Sequence, residues 1–236
     1  MRRKNPNKAG KNDVINLLSL AHRDYIAARF LLLNDFYLQG LTLSATAVEK
    51  YLKVVLAIRE GVFTKDHMDK LGNFKGRISR AGINLFDELD PRFLHLLQDV
   101  YKLRYYDQLS CQTQVGFLKW QVLGELDYTI HTIDSKLEEY DAENRRWRTP
   151  YRSSVLKKDQ HIISENYLLN GQDKSAFMER TGPSCILYIH KGEIEVYMAM
   201  DGISATKYDG RIVTVTGINL PQEIIDDIQK NVGDAI

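Results

Sequence analysis

The chain has 236 residues, 44% of them hydrophobic, which is enough apolar surface for one large core or two small ones. Lysine plus arginine (32) nearly cancels aspartate plus glutamate (31), so no global basic field announces a nucleic-acid partner and local charge has to carry any such contact. Two cysteines far apart in sequence, Cys111 and Cys185, give neither a disulfide framework nor metal-ligand spacing, and no apolar run approaches a membrane span or a signal peptide; the expectation is a protein of the cytoplasm with no membrane partner.

Residues 1–12 hold Arg2, Arg3, Lys4, Lys8 and Lys11 with no acid, plus Pro6 and Gly10, and read as a disordered basic tail. From Val14 the series Val14, Leu18, Ala21, Tyr25, Ala28, Leu32 steps by four and three and predicts a first helix capped by Asn12 or Asp13. Leu41, Ala45, Val48, Leu52 and Val55 predict a second helix to Arg59, stopped by Gly61; in it Glu49 and Lys53 stand four apart and can pair. Met68, Leu71, Phe74 and Ile78 predict a third helix between Asp66 and Gly82. Asp90-Pro91 gives a cap followed by proline at the first helical position, opening a fourth helix through Phe93, Leu97, Val100 and Arg104. Leu123, Leu126, Ile130, Ile133, Leu137 and Tyr140 form the stripe of a long fifth helix. Residues 13–142 therefore read as an antiparallel helical bundle.

Composition changes at 143–155, where Arg145, Arg146, Arg148 and Arg152 alternate with Trp147, Pro150 and Tyr151, and this stretch reads as an Arg-rich linker. Beyond it, 156–236 reads as a small α+β domain. Asn170-Gly171 marks a turn and 175–179 a short helix. Lys191-Gly192, Asp201-Gly202 and Asp209-Gly210 punctuate four strands at about 184–190, 193–200, 203–208 and 211–216, expected as sequential antiparallel neighbours in a meander. Pro221 opens a terminal helix whose Ile224, Ile225 and Ile228 would cover one sheet face. Eight basic against twelve acidic residues make this part an unfavourable nucleic-acid surface. The fold class expected is thus α + β in two domains.

Three segments carry a resemblance. They are Ala21-His22-Arg23-Asp24-Tyr25-Ile26-Ala27-Ala28-Arg29, then Ser44-Ala45-Thr46-Ala47-Val48-Glu49-Lys50-Tyr51-Leu52-Lys53, then Tyr101-Lys102-Leu103-Arg104-Tyr105-Tyr106-Asp107. In that order the chain resembles the HEPN family, small all-helical domains of nucleotide-linked and RNA-directed proteins, over roughly residues 12–142. The resemblance implies homodimerisation through bundle helices and a defence, stress-response or toxin-antitoxin setting. Many such proteins work beside a separate nucleotidyltransferase. The C-terminal part lacks the Gly-Ser plus paired-aspartate motif of that enzyme, which leaves it the role of docking a protein partner.

Many HEPN proteins are metal-independent ribonucleases with an arginine, four to six intervening residues and a histidine. Arg104 takes the place of the family arginine, but Tyr105 to Cys111 contains no histidine. His95, nine residues upstream, falls about 180° around the helix from Arg104. His67, opening the third helix, is the remaining candidate for proton transfer. Arg104 has two readings: a structural arginine paired with Glu49 or Asp107, or the centre of a phosphate-and-base contact with Lys50, Lys53, Tyr105, Tyr106 and Asp107. The linker residues Arg145, Arg146, Trp147, Arg148, Tyr151 and Arg152 interleave cations and aromatics as single-strand binders do, and equally fit a solvated linker whose tryptophan packs on a domain. Glu138, Glu139 and Asp141 lack a histidine at ligand spacing and read as a solvated helix end, so no metal is expected. No phosphate-binding glycine pattern is present and no cofactor is expected. The leading expectation is a non-catalytic, dimeric, nucleotide- or RNA-associated module; the alternatives are a divergent metal-independent ribonuclease using Arg104 and His67, and a protein-interaction scaffold.

Overall fold

The structure, a computed structural model, describes residues 8–102, 113–141, 148–180, 184–190, 193–199 and 214–215. Among these it contains eight α-helices: α1 (Lys11–Leu33), α2 (Tyr37–Glu60), α3 (Leu71–Arg80), α4 (Pro91–Lys102), α5 (Lys119–Asp141), α6 (Pro150–Leu156), α7 (Gln160–Ile163) and α8 (Lys174–Met178). Four strands accompany them, β1 (Thr113–Leu118), β2 (Ser184–His190), β3 (Glu193–Ala199) and β4 (Thr214–Val215). None of the described helices is long and apolar enough to cross a membrane.

Helices α1 and α2 form the central antiparallel hairpin. Leu18, Ala21, Tyr25, Ala28 and Leu32 of α1 are fully buried against Leu41, Ala45, Val48 and Leu52 of α2, the stripes that the spacing predicts. Gly40 lets the two meet, because a Cβ there would stand 2.8 Å from Leu32 Cγ. Gly61, in the left-handed region at φ 69°, ends α2 by donating its N–H to Ala57 O at 3.0 Å. Helix α1 begins at Lys11 behind Gly10, earlier than Asn12 or Asp13, and Ala9 N donates to Gly61 O at 2.9 Å, so the segment just before α1 is tied to the end of α2. Asp90 caps α4 by accepting from the N–H groups of Arg92 (2.7 Å) and Phe93 (3.1 Å).

The expected two-domain α + β fold with a sequential four-stranded meander is not what the chain adopts. The strand order is β3-β2-β1-β4, and β1 comes from between α4 and α5, inside the region expected to be all helix. β2 pairs with β3 and with β1, all antiparallel, placing Leu187 between Val196 and Val115. Among the described residues β4 pairs with β1, Gln114 opposite Val215 and Val115 opposite Thr214. The reason is that β2 has two edges; β3 satisfies one ladder of N–H and C=O groups, and the Val115 strand satisfies the other. β1 runs into α5 without a turn residue, and it falls between the fourth helix, expected through Arg104, and the stripe of the fifth, which starts at Leu123, in a stretch to which the sequence pattern assigns no strand. The expected strand at 203–208 and the terminal helix lie outside the described residues.

Segment 150–178 is also no separate unit. Tyr151, Ile162, Tyr167 and Phe177 are buried in the same core as α1, α2, α4 and α5. Its short helices are each fixed by a side-chain cap: Thr149 Oγ1 accepts from Arg152 N (3.1 Å), Asp159 Oδ1 from His161 N (3.1 Å) and Asp173 Oδ1 from Ala176 N (2.8 Å).

Candidate functional site

Three elements bring together the groups that chemistry would need. On α2, Glu49 is almost wholly buried and takes three donors: Lys53 Nζ at 2.8 Å, Met68 N at 2.9 Å and His67 Nδ1 at 3.1 Å. Burial pushes its carboxyl up, but the Lys53 ammonium and the two other donors outweigh burial and hold it below the usual carboxylate range. Glu49 is therefore ionised at neutral pH and can only accept, which makes His67 Nδ1 the donor; in the neutral ring Nε2 then carries the lone pair. The His67 side chain is 52% exposed and its ring stacks on Tyr101 of α4, 5.8 Å between centroids at 25°. Lys50, one turn before Val54 on α2, holds Asp24 of α1 at 2.6 Å. The site thus combines an oriented, accessible imidazole, the buried tyrosine ring behind it and the Lys53 ammonium, with the Lys50 ammonium turned to Asp24 of α1. Those two ammonium charges are balanced by Asp24 and Glu49, so the described part of the site offers oriented hydrogen bonding and stacking more than net positive charge.

The described part of helix α4 runs to Lys102, two residues before Arg104. Arg104, Tyr105, Tyr106 and Asp107 lie outside the described residues, as do Arg145, Arg146 and Trp147. Of the other linker candidates, Arg148 is exposed, and Arg152 Nε stands 3.7 Å from Asp134 Oδ2. Tyr151 is fully buried, its hydroxyl 3.2 Å from His131 Nδ1, and serves as a core anchor. The structure therefore joins Lys53 to His67 through Glu49, and places Lys50 beside α1.

Sequence reasoning missed a buried polar centre between α1, α5 and the 160–166 segment. Arg29, with no exposed surface, donates to Asp127 Oδ2, to Ser164 O and, at 3.3 Å, to His161 O. Tyr25 OH donates to Asp127 Oδ1 at 2.8 Å. Burial works against the Arg29 charge, but Asp127 more than restores it and raises the guanidinium above its ordinary value. The only sequence signal was Arg29 at the i+4 position from Tyr25, on an otherwise apolar stripe.

One turn earlier, His22 Nε2 lies 3.0 Å from Ser154 Oγ, an arrangement that could suggest an activated serine. Burial lowers the His22 imidazole to about 4, with Asp159 pulling the other way, so the ring is neutral near pH 7. Its Nδ1 is buried without a partner. An orphan acceptor fits there better than an orphan N–H, which puts the proton on Nε2, donating to Ser154 Oγ, while Ser154 turns its own hydrogen toward Asp159 Oδ2 at 3.4 Å. Ser154 is thus tethered and not activated. On the outer side of α1, a groove of about 380 Å³ is lined by Arg23, Ile26, Ala27, Phe30, Leu31 and His161. Among the described residues no group of three or more His, Cys, Asp or Glu is placed to hold a metal.

Compared with known proteins, the chain matches no family model, no curated protein and no solved structure.

Proposed function

We propose that the protein is a HEPN-like, homodimeric module that binds a nucleotide or RNA without cleaving it, through the surface where α2, the His67 segment and α4 meet. The observation that carries this reading is the Glu49-oriented His67 stacked on Tyr101 beside Lys53. The half-exposed His67 ring, backed by the buried Tyr101 ring, offers a face for a base, and a lone pair on Nε2 with the Lys53 ammonium nearby suits the polar edge of a nucleotide. Because Lys50 and Lys53 are already paired, the phosphate contact falls to Arg104, three residues past Tyr101 in sequence. Fluorescence anisotropy with labelled short RNAs and with ATP tests it. Binding should weaken about tenfold or more in Tyr101→Ala and in Arg104→Ala while the melting temperature of the Arg104 variant holds. Unchanged affinity in both variants would remove the site.

A second reading has one specific observation behind it. The Glu49 contact fixes the His67 tautomer with Nε2 free, as a general base requires, so that Nε2 could take the proton of an RNA 2′-hydroxyl in metal-independent cleavage. Loss of a positioned base removes about 10² to 10⁴ in rate. Cleavage in EDTA that vanishes in His67→Ala and in Arg104→Ala would promote this reading over binding alone.

A further inference from the structure

One face of α5 carries three buried polar atoms in a row. Gln121 Oε1, Glu125 Oε2 and Thr129 Oγ1 recur at four-residue spacing, each on a residue at most 5% exposed, and none has a hydrogen-bond partner. The Tyr167 hydroxyl, on a residue 3% exposed, is orphaned too, and the Glu125 charge acts on its phenol. An orphaned polar atom in an interior is costly, and three on one helix face call for an occupant.

Thr129 makes the point most sharply. Ser19, Thr42, Ser44, Thr46 and Ser135 all donate to the carbonyl four residues earlier in their helices, at 2.8–2.9 Å. Thr129 forgoes that bond. On a helix, residues four apart lie one above the other on the same face, with Cβ atoms about 5–6 Å from one another, so the three polar side chains share one side of α5. Burial outweighs Lys174 and pushes the Glu125 carboxyl up; in its ionised form Glu125 Oε2 is, like Gln121 Oε1, an acceptor, and the two then need a donor between them. The other Glu125 oxygen already has its cation, Lys174 Nζ at 2.8 Å, which sits over the Tyr128 ring at the outer rim. Charge balance is therefore met from outside, and a neutral donor suits the interior better than a metal ion.

We propose that Gln121, Glu125 and Thr129 form a closed site for ordered water, one molecule bridging each successive pair along α5. Lys174 seals it. The site is independent of the His67 surface and does not rest on any nucleotide reading.

Thr129→Val decides it, because valine keeps the shape and deletes only the hydroxyl. In a dry interior, replacing an orphan hydroxyl by methyl raises the melting temperature. With water bound there, the variant strands that water and the melting temperature falls by about 2–4 °C. A rise, or no change, overturns the proposal. A melting temperature of the unaltered protein that climbs in potassium chloride but not in choline chloride would also overturn it, by putting a cation there. A high-resolution crystal structure should show water density between Gln121 and Glu125.

Discussion

At the scale of the residue, His22 makes stability depend on pH in a window set by its own burial. In the unfolded chain an imidazole titrates near 6.5, and in the fold burial lowers it to about 4. Between those values the unfolded chain holds the proton and the folded chain does not, so stability falls as pH drops from about 6.5 toward 4, and the loss levels off below. The full shift corresponds to about 3 kcal/mol. Other groups work in both directions: the lowered carboxyls of Glu49 and Asp90 lose stability as pH falls through their folded values, and the raised Glu125 carboxyl loses it as pH rises. Comparison with His22→Gln isolates the one group, since the glutamine amide nitrogen can stand where Nε2 donates to Ser154. Urea unfolding from pH 7 to 4 should show the difference between the two proteins shrinking by at least 1 kcal/mol. Parallel pH profiles would mean that His22 titrates normally.

At the scale of the element, what was legible followed from local rules and what was not followed from partners distant in sequence. The stripe of α1, the Gly61 stop of α2 and the Asp90-Pro91 opening of α4 are written within a few residues and stand where the pattern put them. Strands β2 and β3 likewise follow alternation. β1 was illegible because its six residues become a strand only by pairing with Ser184–His190, and no turn residue separates them from α5. Arg29 was illegible for the same kind of reason, since its partners lie 98 residues away in α5 and 135 away in the segment after α7. That arginine ties three elements together, and removing either member of the buried pair leaves the other uncompensated. Arg29→Met and Asp127→Leu should each cost about 3–5 kcal/mol, while the double variant, which leaves no charge stranded, should cost less than the sum. Additive losses in the cycle would show that the two charges are not coupled.

At the scale of the whole molecule, the site's legibility ran through Glu49. The sequence marks its pairing with Lys53 and marks His67 as a lone candidate, but the contact between them spans 18 positions and depends on the turn at Met68 folding back onto α2. The same long-range packing brings 150–178, beyond the compositional change at 143–155, into the core of α1, α2, α4 and α5, because arginine-rich sequence says nothing about whether the next apolar residues find a core of their own. Here they do not: Tyr151 fits among His22, Tyr25 and His131, and Phe177 packs on Trp120 and Tyr167. Phe177→Ala separates the alternatives. It removes a large buried side chain and should cost about 3–5 kcal/mol. If 150–178 shares the core of α1 and α5, the helical signal at 222 nm shifts its entire urea midpoint downward in one transition. In a chain with an independent N-terminal bundle, the main midpoint would stay fixed and only a minor early transition would appear, and that outcome would restore the boundary.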